Sequence, residues 1–75
     1  MTDEQRLNMR VGWVGEPDPK TGDVKFGYLY RAFTVPGDSP RRDKFHALLC
    51  DAMNRGLMVT FTTDGQRVFD LSLAR

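Results

Sequence analysis

Asp43, His46 and Cys50 are spaced three and four residues apart, which sets them along one side of a helix. A thiol with a histidine and a carboxylate beside it is the layout of an activated nucleophile. Such a site also requires an oxyanion donor and a substrate cleft, and spacing supplies neither. Cys50 adjoins an apolar helical stripe, where a free cysteine acts as a small buried hydrophobe. His46 is the only histidine and Cys50 the only cysteine, so a tetrahedral zinc site would need ligands from a second chain. The expectation is a non-enzymatic protein with no metal site and no cofactor.

Two further stretches invite a chemical reading. "GEPDPKTG" carries Lys20 and Thr21 after a glycine. A phosphate-binding loop needs a glycine directly before its lysine, and Pro19 stands there instead. Pro17 and Pro19 also remove two amide donors that a phosphate would use. The stretch reads as a hairpin loop. "RRDK", residues 41–44, places three cations at the start of a helix, where the macrodipole disfavours each by about 0.3–1 kcal/mol. Either the patch is solvated, or an acidic partner offsets the misplaced charge of Arg41 and Arg42.

"KFGYLYRAF", residues 25–33, is the densest aromatic segment. It is similar to the aromatic RNA-binding strand pattern, but the glycine after Lys25 is missing and Arg31 stands where the last aromatic belongs. Bases could stack on Tyr28 and Tyr30 with Lys25 and Arg31 nearby. Aromatics also favour strands because they pack well there. Phe26, Tyr28 and Tyr30 fall on one parity, Leu29 and Phe33 on the other. Both faces of the strand are thus partly apolar, and something must cover the second.

The elements that position these residues follow from periodicity. Residues 1–6 are polar and expected to fray. Leu7, Met9, Val11 and Trp13 alternate with polar or small residues, a half-buried strand. Residues 15–23 collect prolines and glycines, so the chain should reverse and return as a hairpin over 24–35. Ser39 suits an N-cap and Pro40 the first helical position. Phe45, Leu48, Leu49, Ala52 and Met53 recur at helical spacing, and Gly56 closes the helix. Residues 57–73 form a second hairpin. A three-residue turn, Thr63-Asp64-Gly65, would gather Leu57, Val59, Phe61, Phe69, Leu71 and Leu73 on one face.

The fold class is α+β in ββαββ order, one domain over 1–75. It is either a small antiparallel sheet with one amphipathic helix, or an OB-like barrel if segment 23–35 bends into two strands around Gly27.

Residues 33–73, "FTVPGDSPRRDKFHALLCDAMNRGLMVTFTTDGQRVFDLSL", resemble the second half of the small OB-fold proteins related to bacterial enterotoxin B subunits. There a strand, a polar break, an amphipathic helix and a closing hairpin occur in this order. The resemblance implies a domain that oligomerises, often as a ring, and binds a glycan or another subunit. This chain has a single cysteine and no secretion signal is expected, so the implications carried forward are the fold and the habit of assembling.

Size and charge narrow the function. A 75-residue chain buries only about 60% of the surface its unfolded form exposes, and one cysteine forms no internal disulfide. Self-association is a ready source of extra burial. The net charge is +1, without the basic excess of a dedicated duplex-DNA binder. No apolar run is long enough for a membrane span or signal peptide, and a lone thiol suits a reducing compartment, so a cytoplasmic protein is expected. The reading is a protein-binding or assembly domain, an inhibitor, adaptor or accessory subunit, forming homo-oligomers. Its expected binding residues are Trp13, Phe26, Tyr28, Tyr30, Arg31, Arg41 and Arg42. The alternative is a single-stranded nucleic-acid binder.

Overall fold

The computed structural model describes residues 4–74. Strands β1 (Glu4–Arg10), β2 (Trp13–Val14), β3 (Val24–Tyr28) and β4 (Arg31–Val35) precede helix α1 (Arg42–Arg55), and β5 (Met58–Asp64) and β6 (Arg67–Leu73) follow it. The described residues are α+β, a six-stranded sheet of order β1-β5-β6-β4-β3-β2 with one helix, and the ladder is not closed into the OB-like barrel that was one expectation.

Several expectations about strand pairing are corrected. The sheet is mixed, because β4 and β6 run parallel where Thr34 meets Arg67. Segment 23–35 is two strands, turning at Leu29-Tyr30 rather than bending at Gly27. The opening strand does not pair as a whole with the segment after the proline loop. Only β2 does so, Trp13 opposite Gly27 and Val14 opposite Phe26. β1 leaves at Val11-Gly12 and pairs along its full length with β5. It starts at Glu4, inside the stretch expected to fray; residues 1–3 lie outside the described residues. β1 and β2 thus stand at opposite ends of the ladder although two residues join them.

The inner face holds the core. Phe26, Phe33 and Phe61 form an aromatic cluster, with Phe61 edge-on to Phe26 at 5.5 Å and to Phe33 at 4.9 Å between ring centroids. Such edge-to-face pairs add stabilisation beyond their buried area. The helix contributes Phe45, Leu49 and Ala52, all buried, with Leu48 and Met53 packed against them. This is the stripe that the spacing specifies. Gly56 ends the helix in the left-handed region at φ 68°. The start differs from expectation. Ser39 Oγ accepts the Arg41 N–H at 3.3 Å, and the Ser39 carbonyl accepts the Arg42 N–H, which builds a turn ahead of the helix. Arg41 becomes the N-cap, without a side-chain bond.

The closing hairpin also departs from expectation. Asp64 pairs with Arg67 around a two-residue Gly65-Gln66 turn, Gly65 at φ 64°. Thr62 then pairs with Asp70 while Thr63 pairs with Val68, so Phe69 is the extra residue of a bulge. The buried Thr63 hydroxyl donates toward the Gly65 and Arg67 carbonyls, each at 2.8 Å, and fixes this turn. Val68 and Leu71 take the core positions, and Phe69, expected inside, is 49% exposed. Among the described residues no helix is long and apolar enough to cross a membrane.

Candidate functional site

Two glycines seat two aromatic rings at the end of β3. Gly27 lies opposite Trp13, and a Cβ built on it would come within 2.9 Å of the indole Cζ2. The indole therefore covers backbone where position 27 has no side chain, and keeps 38% of its surface exposed. A Cβ on Gly12 would likewise lie 2.8 Å from Tyr28 Cδ2, so the tyrosine ring rests on that glycine.

Beyond Tyr28 the chain turns through Leu29 and Tyr30. Leu29 has φ 57°, and it is the one non-glycine residue with positive φ among those described. A β-hairpin turn needs positive φ at its first central residue, where glycine, asparagine or aspartate is the usual choice. Leucine there is strained, and neither of the tip's side chains recovers that cost by burial: Leu29 is 73% exposed and Tyr30 fully so. Arg31 pairs with Tyr28 across the hairpin, and its guanidinium sits 5.3 Å from the Phe33 ring centroid. That cation–π contact holds the arginine against the base of the tip. A shallow hollow of about 220 Å³ lies between Tyr30, Arg31, Ala32, Phe33 and the Gly65-Gln66 turn.

Of the residues expected to bind, Tyr28, Tyr30 and Arg31 come together here, whereas Trp13, opposite Gly27, lies on the other face of the sheet from the Tyr28–Arg31 pair. Phe26 does not join them. It is fully buried in the aromatic cluster and presents no surface, because the β3–β4 hairpin turns its parity into the core. Tyr28 and Tyr30 do not share a strand face, since Tyr30 belongs to the turn. The apolar character of residues 25–33 is thus divided: Phe26 and Phe33 are inside, and Leu29 and Tyr30 project at the tip.

Arg41 and Arg42 stand elsewhere, at the start of α1. Arg42 Nη1 donates to the Gly22 carbonyl at 3.0 Å and Nη2 bonds Asp43, which ties the helix to the loop over 15–23. Arg41 is exposed beside an open groove of about 580 Å³ walled by Pro36, Pro40, Val68 and Phe69. No sequence signal marks this groove, because the bulge creates it.

The other chemical candidates are occupied structurally. His46 Nε2 lies 3.7 Å from Cys50 Sγ on half-buried helix positions, but the Asp43 carboxylate goes to Arg42. Among the described residues no three metal-binding side chains converge. In the proline loop Asp18 Oδ1 accepts the Lys20 and Thr21 N–H groups at 2.8 and 3.0 Å. These backbone bonds, Thr21's foremost, hold its carboxyl below the usual aspartate range. Asp23 Oδ1 takes the Gly37 N–H at 2.7 Å, fastening the loop to the segment before the helix.

Compared with family models, curated proteins and solved structures, this chain matches none.

Proposed function

We propose that the protein is a non-enzymatic binding domain of OB type that engages a protein partner through the Leu29-Tyr30 tip and its flank of Tyr28 and Arg31. The OB reading is supported by the connectivity: a first strand broken at Gly12 serves both ends of the sheet, the parallel β4–β6 neighbours correspond to the third and fifth strands of an OB barrel, and the helix falls between the third and fourth, although the ladder itself is not closed.

The observation that carries the binding reading is the tip itself. A strained leucine and a fully exposed tyrosine on a tight turn contribute nothing to the core. Residues kept in costly backbone conformations cluster at functional sites. Tyr, Trp and Arg are the types enriched at interface hot spots. A projecting leucine suits an apolar recess of a protein better than the face of a base.

The competing reading is a single-stranded nucleic acid lying across β3 and β4, the face OB domains use, with Trp13 and Lys25 in contact. Titration of a fluorescent single-stranded oligonucleotide separates the two. A protein-binding tip gives no binding at low salt. Binding at low salt that falls steeply as salt rises and is lost in Trp13→Ala establishes the nucleic-acid reading instead.

A further inference from the structure

We infer that β1 is a self-pairing edge, through which two copies of the chain join their sheets antiparallel about a two-fold axis at Leu7. This goes beyond the tip and does not depend on it.

Among the described residues β1 has β5 as its only neighbour in the ladder. The direction of its free groups follows from register. Ala74 N–H donates to the Met58 carbonyl at 2.9 Å, so the even-numbered residues of β5 face β6 and the odd-numbered ones face β1. Val59, Phe61 and Thr63 therefore bond Met9, Leu7 and Gln5. The main-chain groups of Glu4, Arg6, Asn8 and Arg10 point off the edge, and among the described residues no turn or loop backbone bond reaches them. Seven residues of open edge are a template for another strand.

The side chains select a second copy. With Leu7 on the axis, Glu4 faces the partner's Arg10, Arg6 faces the partner's Asn8, and Gln5 faces the partner's Met9. Every even residue meets an even one, so the outward main-chain groups pair with each other and the buried faces of the two sheets stay continuous. Neighbouring registers fail. A shift by two residues one way sets Arg6 against Arg6, and the other way sets Arg6 against Arg10. A parallel arrangement opposes Glu4 to Glu4 and Arg10 to Arg10. Like charges directly opposite are destabilising.

Within one chain Glu4 lies opposite Asp64, already a like-charge pair, and neither Glu4 nor Arg10 has an ion-pair partner among the described residues. The partner's Arg10 brings a cation to that acidic pair on both sides of the axis.

Sedimentation of the whole chain from micromolar to millimolar concentration tests this. Wild type should rise from 8.6 kDa toward twice that mass. Arg10→Glu and Glu4→Arg should each raise the dimer dissociation constant about tenfold or more, and the double exchange should restore it. Arg6→Pro removes an N–H that β5 does not use, so it should keep the circular dichroism of the fold and lose the dimer. Tyr30→Ala should dimerise like wild type. A wild-type monomer throughout, single exchanges without effect, a double exchange that fails to restore the dimer, or loss of the dimer in Tyr30→Ala would each overturn the inference.

Discussion

The indole of Trp13 lies over Gly27, and the same glycine lets the Arg31 carbonyl pass where a Cβ would be 2.0 Å from its oxygen. One missing side chain therefore serves two purposes: it lets the β3–β4 hairpin close tightly, and it seats an exposed aromatic on the opposite face of β3 from Tyr28.

Gly27→Ala should cost about 1–3 kcal/mol in a urea titration, since two backbone-level contacts must move. It should also shift the Trp13 fluorescence. A neutral Gly27→Ala would mean that the indole does not rest there.

Leu29→Gly should raise stability by about 1 kcal/mol, because glycine adopts φ 57° without the penalty that leucine bears. Thermal unfolding measures it. A loss of stability would show that the leucine side chain is needed for folding, and would remove the reason to assign it to binding.

Leu49→Ala should destabilise by roughly 2–5 kcal/mol, as a fully buried residue of the helix stripe. Asp51→Ala should change stability by less than about 0.5 kcal/mol, although Asp51 pairs with Arg55 at 3.0 Å, because that pair is exposed. Equal effects would place the helix in a different rotation against the sheet.

Asp18 links the proline loop to pH. Its carboxyl is held below the usual value by the Thr21 and Lys20 N–H groups. A depressed folded-state pKa stabilises above the unfolded pKa, and this contribution is lost as pH falls through the folded one. Asp18→Asn keeps an acceptor for the turn without the titration. Its thermal midpoint should therefore fall less than that of wild type on acidification from pH 5. Parallel acid limbs in the two proteins would argue against the linkage.

The helix was legible because Phe45, Leu49 and Ala52 recur at one period on a single element and Gly56 marks its end. The partner of β1 was not. Alternation from Leu7 to Trp13 states which face is buried and carries no information about which strand lies alongside. The Leu29-Tyr30 turn was hidden because neither residue is a turn former, so the segment read as one long strand. That same error set Phe26 among the binding residues. Phe69 was misplaced because a bulge inserts one residue without altering the apolar pattern that the register was inferred from. Trp13, Tyr28, Tyr30 and Arg31 were recognisable by type, but the seating of Trp13 on Gly27 and of Tyr28 on Gly12 is visible only in three dimensions.

Protein recognition by the tip is tested most directly by selecting peptides from a display library on the wild-type protein and measuring their affinity for Tyr30→Ala and Met58→Ala. Met58 is 47% exposed on β5 and belongs to no part of the tip, so it controls for general apolar adhesion. The expected result is about 30-fold weaker binding for Tyr30→Ala, the size of a hot-spot loss, with Met58→Ala unchanged. Equal affinity for all three proteins would contradict the assignment.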